Sequence, residues 1–319
     1  MTVLLEFARR LRKHAILCGF VTFLCFMALC SSSFLTPGNL LTVLRQVSIQ
    51  GIIALGMTCV MISGEIDLSV GSLLSLTSVV VVDLHDKIGP VGGIAVTMAV
   101  GIASGCVSGA LVGYFGCNSL ISSLGMLSIL QGMTFFYTRG QEVEIRYPDK
   151  TWFRFFGREE LLGVPVPVVI FGVLSLAFFI LLRRSVYGRQ LFAIGGNMLT
   201  GRYTGLSPER IRFSVFVLSG LMAAVGAVVL GSRVMGSQNQ AGEGYELQVI
   251  AAVVLGGTSL LGGEGSILRT IVGVLIIGFI RNGLLLLGLA YYYQWLVTWI
   301  ILVTAAWLEL ISKRGRLFA

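Results

Sequence analysis

A polytopic, all-α membrane protein is the fold this sequence predicts, and three observations carry the prediction. The first is composition: the 319 residues are 55% hydrophobic and only 12% charged, with a mean hydropathy of +0.90. An average soluble domain carries roughly 25% charged residues, so a soluble enzyme, a disordered chain and a disulfide-stapled secreted domain are excluded. The second is that apolar runs as long as a bilayer core is thick recur along the chain. The third is that basic residues gather in a few segments, as the positive-inside rule requires. Glycine is in excess as well, 41 residues of 319, roughly twice its ordinary share.

Ten spans follow, at about 15–34, 41–62, 69–84, 91–114, 118–138, 164–182, 213–232, 246–261, 267–287 and 292–311. Arg9, Arg10, Arg12 and Lys13 precede the first, as in a signal peptide, but nine more spans follow without an A-x-A site, so it reads as a retained helix. An even count puts both termini on one face. The tail at 1–14, the loop at 183–212 (Arg183, Arg184, Arg189, Arg202, Arg210, Arg212) and the C-terminal Lys313, Arg314 and Arg316 hold 13 of the 23 Lys and Arg. These three segments are therefore expected in the cytoplasm. The 139–163 loop carries five basic and five acidic residues and is expected outside, in the periplasm, with a short surface helix around Trp152–Glu160. No linker divides the chain, so 1–319 reads as a single transmembrane domain. The charge of +8 and pI near 9.4 follow from the same asymmetry and do not call for nucleic acid.

Ten spans divide as five plus five, an inverted pseudo-repeat in which helices 3 and 8, the two shortest, correspond. Their flanks, SGEIDLSVGS (63–72) and GGTSLLGGEGS (256–266), share Gly and Ser. Glu65 and Asp67 before helix 3 allow two readings: a carboxylate pair in a broken, membrane-level segment, or acids that cap helix 3 together with Ser69. Helix 4 carries Gly101, Gly105, Gly109 and Gly113, a stripe on one face that lets another backbone approach, within or between subunits. Arg45, Arg233, Arg269 and Arg281 lie near span ends, where long side chains reach the interface. Arg281 and Asn282 fall inside helix 9, with Glu246 a candidate charge partner.

In the 183–212 loop, Gly195, Gly196 and Asn197 form a turn; Asn197 caps a helix of about two turns at 198–204, which Gly205 ends. Ser207 and Pro208 open the next helix. A short helix between glycine turns suits docking to a cytoplasmic partner. There is no G-x-x-x-x-G-K-[ST] phosphate loop, no nucleophile constellation, and no metal-ligand spacing among the six Cys and two His. Neither catalysis nor a bound cofactor or metal is expected of this chain.

Four motifs then carry a resemblance: GEIDLSVGS (64–72), FAIGGNMLTGRYTGL (192–206), GYELQVIAAVVLGGTSLLGGEGS (244–266) and IIGFIRNGLLLLG (276–288). From about residue 38 to 311 the chain resembles the permease subunits of bacterial sugar ABC importers, the ribose/xylose/arabinose type that includes autoinducer-2 permeases. The resemblance implies an inner-membrane core of two permeases, the second a copy or a paralogue. It also implies cytoplasmic ATPases that hold ATP and Mg, and a periplasmic sugar-binding protein. It makes 192–206 a coupling helix, with Gly195, Gly196, Asn197, Arg202 and Gly205 as ATPase-contact candidates. Small and polar residues of helices 2, 3, 8 and 9 would line the path: Gln46, Glu65, Asp67, Ser69, Ser72, Glu246, Thr258, Ser259 and Asn282. Three departures stand out: Gly64-Glu65 for Gly-Gly, Thr200-Gly201 for Ala-Ala in the coupling helix, and Asn118-Ser119 for a Pro-rich start of helix 5. The competing reading is an ion-coupled secondary transporter with Glu65, Asp67 or Glu246 as coupling carboxylate.

Overall fold

The computed structural model describes residues 20–290 and, beyond them, 292, 293, 295–297, 299, 300, 303 and 304. The 1–14 tail, the basic C-terminus and parts of the first and last expected spans lie outside the described residues. Across residues 20–290, ten α-helices run in order: α1 (Phe20–Cys30), α2 (Pro37–Ile62), α3 (Val70–Gly109), α4 (Ser119–Thr138), α5 (Val166–Arg184), α6 (Val186–Gly196), α7 (Met198–Tyr203), α8 (Pro208–Val234), α9 (Tyr245–Leu255) and α10 (Ile267–Leu286). Among the described residues, six helical stretches are long and apolar enough to cross a membrane: α2, α3 with its extension to Tyr114, α4, α5, α8 and α10.

At 40 residues α3 is twice the length a bilayer needs. It breaks at Gly89 (φ 81°, ψ 162°), ahead of Pro90. Pro90 has no N–H to continue the ladder, and Gly89 adopts a conformation that side chains disfavour. The limb 90–109 folds back on 70–88, so that Gly93 lies against the Val81 carbonyl; a Cβ there would sit 3.1 Å from that oxygen. One helical stretch thus covers both apolar runs, 69–84 and 91–114, that the sequence divides into two spans. The span expected at 246–261 is shorter than its apolar run: α9 stops at Leu255, because Gly257, Gly262 and Gly263 all take positive φ.

Two ends of the molecule follow from what meets there. The 139–163 loop gathers at one, where Thr151 reaches His85 (2.7 Å) and Ser232 Oγ donates to the Phe153 carbonyl (2.6 Å). At the other lie Ile62, Glu65, Gly113, α6, α7 and the 259–266 turn. The surface helix expected at Trp152–Glu160 is instead a 3-10 turn, Trp152–Phe156, followed by a hairpin pairing Glu160–Leu161 with Val164–Pro165. The reason is local: Phe153 is fully buried against His85, and Gly157 presses on the Ser232–Arg233 backbone, which ends any helix there. Val143–Glu144 also pairs antiparallel with Gly236–Ser237. These four two-residue strands are the only β structure among the described residues.

α2 is the hub. Every residue from Val47 to Ile62 is buried, the signature of a helix enclosed on all sides. α8 lies beside it. The glycine stripe packs within the chain, antiparallel on α8: Gly101 meets Gly220 and Ala224, Gly105 meets Phe216 and Val217, Gly109 meets Phe213, and Gly113 meets Glu209. A Cβ at Gly105 would stand 2.6 Å from the Phe216 carbonyl oxygen, so only glycine permits this approach. α4 and α5 turn Ile121, Phe136, Val173 and Leu176 outward, the apolar surface a lipid contact requires.

Candidate functional site

Three arrangements draw on α2. The first is the entry to α3. The chain leaves α2 at Ser63, turns at Gly64 (φ 84°) and brings Asp67 into full burial. One Asp67 carboxylate oxygen accepts from Ser69 N (3.0 Å) and Ser69 Oγ (2.6 Å); the other accepts from Ser219 Oγ of α8 (2.8 Å). Asp67 thus holds the N-cap residue Ser69, while the first turn of α3 receives no side-chain cap bond. Glu65 pairs with Arg212 at 2.6 Å, with side chains 10% and 15% exposed. Ser72 is buried in the first turn of α3. From the opposite side the segment before α9 descends: Gly242 N donates to Ser75 Oγ (2.9 Å), and the Glu246 carboxylate occupies the space left by the absent Cβ of Gly71.

The second is a junction of glycines at the α6–α7 end. Gly263 N donates to the Ile62 carbonyl (2.9 Å). A Cβ at Gly195 would collide with that same carbonyl; one at Gly262 would lie 2.7 Å from Gly195 O and 2.9 Å from Gly64 Cα; one at Gly263 would lie 2.7 Å from Gly196 Cα. Five glycines, from the α2–α3 turn, the end of α6 and the α9–α10 turn, therefore meet through backbone alone. The flanks 63–72 and 256–266, paired in the sequence by composition, do meet here, at Gly64 and Gly262. Thr258 and Ser259 lie in this turn, both buried. From the junction α6 leads into α7, whose start is capped by Asn197 accepting from Thr200 N (2.9 Å). Gly205 ends the turn at φ 83°, and Arg202 pairs with Glu209. α7 turns Leu199 and Tyr203 outward, 66% and 89% exposed.

The third is a polar cavity of about 180 Å³ toward the opposite end, lined by Gln46, Val47, Gln50, Arg233, Tyr245, Gly278 and Arg281. Gln248 Oε1 accepts from both Gln50 Nε2 and Arg281 Nη1, each at 2.5 Å. Of the pathway residues named from sequence, Gln46 alone lines this cavity. Asn282 instead exchanges two amide hydrogen bonds with Asn39 (2.8 and 2.9 Å), locking α10 to α2. Arg281 pairs with Gln248 rather than Glu246, which is turned toward Gly71. Sequence reasoning missed Gln50, Tyr245 and Gln248. The available signal was spacing: Gln50 follows Gln46 by one helical turn inside an otherwise apolar helix. Among the described residues no group of His, Cys, Asp and Glu could hold a metal.

Comparison with known proteins follows this geometry. A family model described as branched-chain amino acid transport system / permease component matches residues 39–306. The ribose import permease protein RbsC of Escherichia coli K12 is 40% identical over 277 residues, covering 86% of each chain. RbsC of Bacillus subtilis 168 is 38% identical over 292 residues, 91% of this chain and 90% of the relative. The L-arabinose transport system permease protein AraH of Escherichia coli K12 is 31% identical over 322 residues, 98% of this chain and 94% of the relative. No solved structure matches. A match over most of the chain, together with relatives of this identity and coverage, places the chain in the branched-chain amino acid transport system / permease component family.

Proposed function

We propose that this chain is the permease subunit of an ATP-driven importer for a small sugar or sugar-like solute, seated in a bacterial inner membrane. The α6–α7 end, with its basic loop, faces the cytoplasm and the 139–163 loop faces the periplasm. Two permeases, copies or paralogues, form the core. A separate ATPase carrying ATP and Mg drives alternating access, and a periplasmic binding protein delivers the solute.

The observation that carries this reading is the bond between α6–α7 and the membrane core. α7 offers Leu199 and Tyr203, one helical turn apart, as an apolar ridge that a groove on an ATPase would cover. A push on α7 passes through Gly195 to the end of α2 and through Gly196 to the turn before α10, with no compressible side chain between. Both strands of the junction lead toward the polar cavity, one through α2 and the other through α10. The ion-coupled alternative finds less support: Glu65 is engaged by Arg212 and Asp67 by Ser69 and Ser219, which leaves it Glu246, packed against Gly71.

Reconstitution tests it. The permease in proteoliposomes with its ATPase and binding protein is expected to accumulate solute only when ATP is supplied. Uptake by the permease alone, driven by a proton or sodium gradient, would select the alternative.

A further inference from the structure

The polar cavity holds more positive charge than its surroundings balance. Arg233 and Arg281 both line it, with Tyr245 beside each. None of the six ion pairs among the described residues includes either arginine. The nearby Arg45 is met by Glu160 at 2.5 Å, and Glu246, next to Tyr245 in the sequence, is turned away against Gly71. Arg281 has one side-chain partner among the described residues, the neutral amide of Gln248, against the five N–H donors a guanidinium carries. Gln46, on the same wall, has no hydrogen-bond partner among the described residues. Both side chains are partly buried, and a guanidinium drawn partly out of water without a counter-charge loses solvation that nothing nearby repays. Two such groups around one hollow are balanced when an anion enters, and their planar forks match a carboxylate in two-point contact.

We propose that this cavity receives an anionic group, so that the solute is a small polyhydroxylated acid rather than a neutral sugar. The carboxylate would be held between Arg233 and Arg281, and the hydroxyls would be read by Gln46, Gln50 and Tyr245. The proposal rests on the transport reading above and sharpens its substrate class.

The test is calorimetric titration of the purified chain in lipid nanodiscs with D-gluconate and with D-glucitol, which share a carbon skeleton and differ by carboxylate against hydroxymethyl. Gluconate is expected to bind about tenfold or more tightly, with the preference shrinking as salt rises. Arg281→Gln is expected to abolish it. Because that change could disturb packing, Gln50→Glu provides a second arm. It keeps size and shape, and supplies the cavity with its own carboxylate beside Arg281, so the preference is again expected to vanish. Equal binding of the two probes, tighter binding of glucitol, binding of neither, or an intact gluconate preference in both variants would overturn the proposal. ATP plays no part in this ratio, so failure of ATP-driven uptake leaves it readable, and an equal ratio leaves ATP-driven uptake standing.

Discussion

α2 serves two regions of opposite character. Around Gln46 and Gln50 it borders a hollow walled by amides, a phenol and two guanidinium groups. At Ile62 it meets a junction built without side chains, where Gly64, Gly195, Gly196, Gly262 and Gly263 bring two turns and the end of α6 together through backbone. Polar side chains left short of partners mark a place made for something else to enter. Glycines in mutual contact mark a place where the chain itself must fit and where displacement passes without loss. The first region is suited to recognition, the second to transmission.

The sharpest way to break this contrast lies within the junction. Gly195→Val drives a side chain into the Ile62 carbonyl and is expected to destabilise by about 3 kcal/mol or more, seen as lost yield and a lowered unfolding midpoint in detergent. Its neighbour Gly196 has nothing within 4 Å of an added Cβ, so Gly196→Ala is expected to change stability by no more than about 0.5 kcal/mol. Similar effects at the two positions would mean that the junction is not the tight contact described.

Asp67 comes next. Asp67→Ala strands Ser69 and Ser219 in the interior and is expected to cost about 2–3 kcal/mol, measured by thermal unfolding of the purified protein. A neutral result would remove Asp67 as the tie between α3 and α8. The smallest effect belongs to the Asn39–Asn282 pair, where either alanine variant is expected to cost about 1 kcal/mol. The double variant should cost little more than one single, and fully additive losses would show that the amides do not act together.

Legibility in the sequence followed the range of the physics. Span lengths depend on local hydropathy, so α2, α4, α5, α8 and α10 could be placed from their own residues. The α7 cap depends on Asn197 and Thr200, three residues apart, and was equally readable. The glycine stripe announced close packing, but not its partner, because α8 lies more than ninety residues further along the chain. The surface helix expected at Trp152–Glu160 failed because burial of Phe153 under His85 overrides local propensity. The cavity was hardest. Gln46 and Gln50 come from α2, Arg233 from α8, Tyr245 and Gln248 from α9, and Arg281 from α10. Nothing in the sequence says that these four helices share one hollow, so Arg281 read naturally as a residue reaching for the interface, and Asn282, which faces Asn39, as the pathway residue.

The coupling assignment is tested most directly on α7, where exposure removes folding as a confounder. In proteoliposomes holding permease, ATPase and binding protein, ATP-driven uptake should be compared between wild type and the Leu199→Asp, Tyr203→Asp double variant. Both side chains are exposed, so the variant is expected to insert and unfold as the wild type does, while uptake falls about tenfold or more. Uptake at the wild-type rate by a correctly inserted variant would contradict the claim that α7 is where the ATPase takes hold.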